Sequence, residues 1–214
     1  GRFPDREEAG TPNILGAAQL GAVSNVLRRV GMERVRAADQ RLLRHALAEL
    51  AAIPGLRLYG DTDLERTPRL GVIAFNLAGL EHGLVAAVLN DYHNVAVRNG
   101  CFCAHPYVRE LLKPDLWALD FDPDVEDADA LLEPWLGMAR ASLGPYTSQD
   151  DIAALLAGIR DLLARPDYYR ALYRADAEGN FHHRTFHAPA ESLFDPETTL
   201  DRALERLRDA KDML

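Results

Sequence analysis

The sequence predicts an α+β domain in which helices pack on a small mixed or antiparallel sheet. Two long segments with helical apolar spacing come first, and short strand-like segments then alternate with amphipathic helices. The chain has 214 residues, 48% hydrophobic and 27% charged, so it is long enough to bury a sizeable core. The predicted order is helix, helix, strand, strand, helix, strand, helix, strand, helix.

The first two helices follow from apolar residues spaced three and four apart. One is predicted over residues 14–30, with Thr11 as its N-cap and Pro12 at its first position. Gly31 interrupts the pattern, and a second helix is predicted over 32–52.

The centre of the chain changes to strand-like patterns. Strands are predicted over residues 56–60, 70–77, 95–98 and 138–143, with a tight turn at Asn99-Gly100. Helices are predicted over 83–92, 106–112 and 148–163, the last capped by Thr147 or Ser148. An acidic segment at 120–133 is expected to be a solvated loop leading into a helix, and a charged helix is expected at about 196–213.

Composition and charge exclude several functional classes. The chain carries 33 acidic and 24 basic residues, and its net charge of −9 disfavours binding to nucleic acids or anionic membranes. Its apolar runs are shorter than the ~18 residues needed to span a bilayer. Cys101 and Cys103 are too close in sequence to form a useful disulfide, so we expect a reducing, cytoplasmic setting.

The densest reactive cluster lies at residues 97–106. It contains Arg98, Cys101, Cys103 and His105. A cysteine on a glycine turn, near a cation and a helix N-terminus, has a lowered pKa and is a better nucleophile. Three interpretations stay open: a packed loop with inert thiols, a metal site despite a Cys-x-Cys-x-His spacing unlike known zinc sites, and a nucleophilic cysteine.

Two further segments are candidates for binding an anion. Gly10 and Thr11 precede a predicted helix, where free N–H groups could hold a phosphate, although an ordinary N-cap explains the same residues. Arg140 lies inside an apolar strand, where its guanidinium needs either a substrate carboxylate or a structural salt bridge. The histidine-rich segment at 182–187 is interpreted as surface rather than as a metal site.

Taken in order, five segments resemble the C-terminal part of class-V aminotransferase-fold enzymes, nearest to the cysteine desulfurase and selenocysteine lyase branch. The resemblance covers roughly residues 6–164. The segments are EAGTPNI at 8–14, IPGL at 53–56, GVIAFNL at 71–77, VAVRNGCFCA at 95–104 and RASLGPYT at 140–147.

The resemblance implies the small C-terminal domain of a fold-type I enzyme that uses pyridoxal 5′-phosphate (PLP) as its cofactor. It also implies a homodimer with active sites at the interface. Gly10 and Thr11 would contact the cofactor phosphate of the partner subunit. The chain then divides into a remnant of the large domain with a connecting helix at 1–30, the small domain at 31–164 and a tail extension with a C-terminal helix at 165–214.

The same resemblance assigns the substrate residues. Arg140 would hold the α-carboxylate of an amino-acid substrate such as cysteine, and Arg98 and His105 would line the site. Cys103 ends the pattern Arg-x-Gly-x-x-Cys, where the desulfurase nucleophile attacks the sulfur of cysteine and leaves a persulfide and alanine.

Two features depart from the family pattern. Desulfurases with this loop commonly carry histidine before the cysteine, whereas this chain has Phe102, and its Gly-Cys-Phe-Cys loop is also similar to that of molybdenum cofactor sulfurases. Whether Cys101 and Cys103 share a persulfide stays open. The cofactor lysine would precede the Gly-Thr segment, whereas Lys113 and Lys211 follow it in unrelated contexts.

The chain is therefore expected to be a C-terminal fragment that lacks the large domain, binds no PLP covalently and is inactive alone. Three hypotheses follow for the protein. It is a PLP-dependent desulfurase or lyase, a class-V aminotransferase or lyase that does not use the cysteine, or a non-catalytic binding module with the small-domain fold.

Overall fold

A computed structural model describes residues 2–116, 135–176, 179–186, 195 and 197–198. The chain separates into two compact units, residues 1–166 and 167–214. The acidic segment at 120–133 lies outside the described residues, as does the helix predicted at 196–213 apart from residues 197–198.

The predicted order of elements is confirmed in the first unit. Its helices are α1 (Ile14–Val30), α2 (Met32–Ala51), α3 (His82–His93), α4 (His105–Leu116) and α5 (Gln149–Ala164). Its strands are β1 (Leu56–Tyr59), β2 (Val72–Leu77), β3 (Arg98–Gly100) and β4 (Met138–Ser142). A single 3-10 turn, Asp5–Glu7, precedes α1.

The four strands form one antiparallel sheet in the order β1-β2-β4-β3. Along β2 the side chains of Ile73, Phe75 and Leu77 are buried and alternate with more exposed neighbours, as strand geometry requires. Helices α2 and α5 contact each other, and α3 contacts α5, β2 and β4. One face of the sheet therefore carries the main helical layer.

The opposite face of the sheet carries a second, smaller apolar cluster. Val108 and Leu112 of α4 pack there with Tyr59 of β1 and Met138 of β4, and all four side chains are buried. Because α4 follows β3 directly, this packing fixes the loop between them, at residues 101–104, against the edge of the sheet.

The helix caps agree with the sequence only in part. Ser148, one of the two residues predicted as alternatives for the N-cap of α5, is the N-cap and forms a capping box with Asp151. The prediction of Thr11 as the cap of α1 is wrong: the cap is Asn13, whose side chain accepts a hydrogen bond from the Gly16 amide at 2.8 Å. Gly16 permits this because a side chain there would collide with the Asn13 amide group.

The strand predicted over 95–98 is also displaced, since β3 comprises only Arg98–Gly100. Asn94 ends α3 in the left-handed conformation with φ of 53°, and the Val95 amide donates back to the Leu89 carbonyl at 3.0 Å. Residues 94–95 therefore complete the helix terminus and are not available to pair with a neighbouring strand.

Helix α1 has an apolar face that the described residues of its unit leave exposed. It has no buried residue, and its large apolar side chains are exposed. Those with more than half of their surface exposed are Ile14, Leu15, Leu20, Val23 and Val26. An exposed apolar stripe of this length is typical of an interaction surface.

The second unit contains elements that the sequence did not predict. Helix α6 (Pro166–Leu172) leads into it, and β5 (Tyr173–Ala175) pairs antiparallel with β6 (Phe181–His183). Across both units, each helix in the described ranges is too short or too polar to cross a membrane.

Candidate functional site

The loop between β3 and α4 is a tight turn over residues 101–104. The Ala104 amide donates to the Cys101 carbonyl at 2.8 Å, and the two central residues, Phe102 and Cys103, have φ of 55° and 60°. Positive φ at both central positions is the type I′ pattern, which normally requires Asn or Gly. The left-handed conformation costs an ordinary residue about 1–2 kcal/mol, so this turn is strained.

The position of this turn corrects the sequence prediction. Asn99 and Gly100 belong to β3, where Gly100 pairs with Met138, and the chain reverses only afterwards. Turn residues such as Asn and Gly favoured the earlier position, whereas the strand pairing and the packing under α4 decide the observed one.

The two thiols, both unpaired, occupy different environments. Cys101 is half-buried, and its Sγ donates a hydrogen bond to the Leu136 carbonyl at 3.1 Å. Burial raises the pKa of the Cys101 thiol, and the nearby charge of Arg109 opposes that effect without cancelling it. Cys103 is exposed to solvent. Because the thiolate is the nucleophile and must be accessible, the geometry favours Cys103 over Cys101 as the reactive thiol.

Arg98 and Arg140 lie directly opposite each other on β3 and β4. Opposed residues of an antiparallel pair project from the same face of the sheet, so two guanidinium groups share one face. In the described part of the chain neither has a carboxylate partner, and the buried Nε of Arg140 has no hydrogen-bond partner. The structural salt bridge considered for Arg140 is therefore not found among these residues.

Phe102 connects the turn to this arginine pair. The Cζ atom of Arg140 lies over the Phe102 ring, 4.9 Å from its centroid. The ring is half-buried and packs against the apolar cluster under α4. The exposed Cys103 thiol thus belongs to the residue next to Phe102, and the ring of Phe102 contacts the Arg140 guanidinium on the neighbouring strand β4.

His105 is the first residue of α4 and is exposed, two residues after Cys103. Arg98 is therefore the first residue of strand β3, Cys103 lies in the turn that follows the strand, and His105 begins helix α4. The sequence places them on this loop, and the structure adds Arg140 through the neighbouring strand.

The sequence analysis missed one polar side chain near the end of β3. His82 lies at the start of α3, and its Nδ1 atom is 3.4 Å from Nδ2 of the Asn99 side chain. Burial lowers the pKa of His82 to about 4, so the imidazole is neutral at pH 7. It packs against Gly137, where any side chain would collide with the ring. Only the contact between distant segments reveals this residue, because an isolated histidine before a helix gives no signal.

Gly10 and Thr11 lie in the exposed stretch before α1. Neither makes a hydrogen bond to the described residues, so the Thr11 hydroxyl and the adjacent backbone are free to contact an external phosphate. Lys113 does not suit a cofactor-carrying role, because it is exposed and pairs with Glu110 at 2.6 Å. Lys211 lies outside the described residues. Among the described residues, Gly10 and Thr11 therefore fit a phosphate contact and Arg140 fits a carboxylate anchor, whereas Lys113 does not fit the covalent attachment of a cofactor.

Of the two thiols on the cysteine loop, Cys103 is exposed and Cys101 is half-buried. A groove of about 750 Å³ lies elsewhere, between the start of α2 and the segments that flank β2 and β4, and none of the candidate site residues lines it. In the described residues no three His, Cys, Asp or Glu side chains form a group that could hold a metal ion. His182 is exposed and pairs with Asp176, while His187 lies outside the described residues.

Comparison with known proteins gives consistent matches. Residues 2–155 match the family Aminotransferase class-V. A cysteine desulfurase of Dickeya dadantii (strain 3937) is 35% identical over 156 residues, which make up 73% of this chain and 31% of that protein. A cysteine desulfurase of Escherichia coli O127:H6 is 34% identical over 159 residues, or 74% of this chain and 32% of that protein.

Solved structures show the same relationship. A cysteine desulfurase from Escherichia coli superposes with a TM-score of 0.55 at 25% identity, over 73% of this chain and 32% of that one. The apo structure of a cysteine desulfurase from Thermococcus onnurineus NA1 gives a TM-score of 0.57 at 30% identity, over 75% and 34%. The chain spans about a third of the length of the proteins that it matches.

Proposed function

The chain belongs to the class-V aminotransferase family, and from that premise we propose that it forms the small domain of a PLP-dependent cysteine desulfurase. One observation carries the proposal. An exposed cysteine on a strained turn is adjacent to Phe102, whose ring contacts Arg140. Arg140 lies opposite Arg98, and neither arginine has a carboxylate partner among the described residues.

In the proposed reaction the arginine pair holds the carboxylate of cysteine. Arg140 supplies two parallel N–H donors to its oxygens, because a guanidinium matches a carboxylate in a bidentate geometry. Arg98 adds a second positive charge on the same face. Binding of the substrate carboxylate offsets the repulsion between the two guanidinium groups.

Cys103 is the nucleophile in this proposal. Its thiolate forms a sulfur–sulfur bond with the substrate sulfur while the carbon–sulfur bond of the substrate breaks, and the bonding electrons remain with the substrate carbon. A proton completes alanine, and the enzyme keeps the transferred sulfur as a Cys103 persulfide. Exposure of Cys103 then allows the persulfide to be passed to an acceptor.

Gly10 and Thr11 are proposed to contact the cofactor phosphate of a partner subunit in a homodimer. PLP supplies the electron sink that makes the carbon–sulfur bond labile. The lysine that carries it lies outside the described part of this chain in our proposal, since Lys113 is engaged with Glu110. We propose that this lysine belongs to the large domain of the protein, and the exposed apolar face of α1 supports packing of α1 against that domain. Two free thiols, one of them exposed, fit a reducing cytoplasm.

The experiment is an assay of sulfide and alanine from cysteine, using the protein as its gene encodes it, supplied with PLP and with a thiol reductant that releases the outer sulfur of the persulfide as sulfide and is itself oxidised to a disulfide. We expect both products in equal amounts, loss of sulfide release in Cys103→Ala and retention in the matched control Cys101→Ser. Unchanged sulfide release in Cys103→Ala would contradict the assignment of Cys103 as the nucleophile. A PLP-bound protein that turns over amino acids without releasing sulfide would favour an aminotransferase or another lyase, and a protein that ignores PLP would favour a binding module.

A further inference from the structure

We propose that Phe102 is a positioning residue that holds the Arg140 guanidinium ready for a carboxylate and couples this anchor to the Cys103 turn. The inference rests on the proposed function, because it concerns how that site is organised. It assigns a role to the residue at which this loop departs from the histidine of related loops.

The first argument is the contact itself. The Arg140 Cζ atom lies 4.9 Å from the centroid of the Phe102 ring, which is within the range of a cation–π interaction. The ring cannot drift, because it packs against the buried cluster of Tyr59, Val108, Leu112 and Met138. Arg140 therefore rests on a rigid aromatic surface.

The second argument concerns what else could hold Arg140. Within the described ranges it has no carboxylate partner, its buried Nε has no hydrogen bond, and its register partner is the like-charged Arg98. The electron-rich face of an aromatic ring attracts the cationic charge without accepting its N–H groups as a carboxylate would. The Phe102 ring thus orients the guanidinium and leaves hydrogen-bond donors for a ligand.

The third argument links this contact to the thiol. Phe102 and Cys103 are the two central residues of the same turn, and both have positive φ. One peptide bond joins the two residues, so a backbone shift at Phe102 that follows loss of its ring packing also reorients the Cys103 side chain. The orientations of the Arg140 guanidinium and of the Cys103 side chain therefore both depend on Phe102.

The test is nuclear magnetic resonance of this chain, with propionate as the carboxylate probe. The side-chain N–H resonance of Arg140 Nε carries a ring-current shift from Phe102. In Phe102→Met, which retains volume without an aromatic face, we expect that shift to disappear and the affinity for propionate to fall about 3- to 10-fold, as loss of one cation–π contact implies. Phe102→Tyr should restore both.

Leu47→Ala is the control, because Leu47 is buried in α2 and lies outside the cluster that holds the Phe102 ring, so the change loosens the core without touching that support. It should leave the Arg140 resonance and the propionate affinity unchanged. Should Phe102→Met fail to fold, Phe102→Leu gives the same comparison.

The outcomes separate the two proposals. If propionate moves the Arg140 resonance in the unmodified chain, and a non-aromatic residue at 102 binds it equally well, the positioning role is wrong and the anchor stands. If Leu47→Ala weakens binding as much as Phe102→Met, the effect is general loosening of the domain and the positioning role is again wrong. If propionate never perturbs Arg140 and Arg140→Gln titrates like the unmodified chain, the carboxylate anchor fails and the positioning role fails with it.

Discussion

Arg98 and Arg140 face each other across β3 and β4, in register and on the same face of the sheet. Like charges placed directly opposite each other on neighbouring strands are destabilising. The described residues offer neither side chain a carboxylate, and the Phe102 ring lies against Arg140. The two arginines repel each other in the free protein, and a bound anion would offset that repulsion. A pair of this kind suits the binding of a substrate carboxylate.

The first prediction concerns the stability of this pair. Arg140→Gln should change the free energy of unfolding by no more than about 1 kcal/mol, because a lost cation–π contact is offset by relief of the repulsion from Arg98. Urea denaturation measures this. Arg57→Gln is the control, since Arg57 lies 5.7 Å from the Tyr59 ring centroid and does not face another arginine. A loss of about 3–5 kcal/mol would instead reveal a broken buried ion pair and contradict the account.

The second prediction concerns strain at Cys103. Because its φ is 60° and its side chain is exposed, Cys103→Gly should be more stable than Cys103→Ala by about 1 kcal/mol. Thermal or urea unfolding of the two variants gives the difference. At Cys101, which does not have positive φ, the order should be reversed, with alanine the more stable. Equal stability of the two Cys103 variants would show that the turn is not strained.

The third prediction concerns the reactivity of the two thiols. A disulfide reagent at pH 7 should modify Cys103 about tenfold or more faster than Cys101, because burial and the hydrogen bond to Leu136 protect the latter. The rates come from Cys101→Ser, which leaves only Cys103, and from Cys103→Ser, which leaves only Cys101. Faster modification of Cys101 would overturn the assignment of the nucleophile.

The fourth prediction concerns pH and His82. Burial lowers the pKa of this imidazole from 6.5 to about 4, so between these pH values the unfolded chain binds a proton that the folded chain does not. Stability should therefore be unaffected by His82 above pH 6.5 and fall as pH drops toward 4, by up to about 3 kcal/mol. His82→Gln should flatten this part of the pH profile. A profile that His82→Gln leaves unchanged would show that the imidazole is not buried in solution.

Sequence patterns were sufficient for the parts of the fold that depend on local periodicity. The order of the helices and strands in the described part of the first unit and the placement of Arg140 within a strand follow from apolar spacing. Capping preferences narrowed the N-cap of α5 to Thr147 or Ser148, and the structure has Ser148. The ordered motifs also indicated the family, which the comparisons establish.

The remaining features depend on contacts between distant segments. The turn at 101–104 uses Phe102 and Cys103 where turn preferences favour Asn and Gly, because packing under α4 fixes its position. The opposition of Arg98 and Arg140 arises from strand order, in which β4 inserts between β2 and β3. The burial of His82 depends on Gly137, more than fifty positions away in the sequence.

The most direct test of the central claim is mass spectrometry of the cysteine peptides after reaction with cysteine. The protein is purified as its gene encodes it, supplied with PLP and cysteine, and digested without reductant. We predict that the peptide containing Cys103 gains the mass of one sulfur atom, that Cys101→Ser retains this gain, and that Cys103→Ser abolishes it together with alanine formation. Alanine and sulfide formation in Cys103→Ser at the rate of the unmodified protein would contradict the claim.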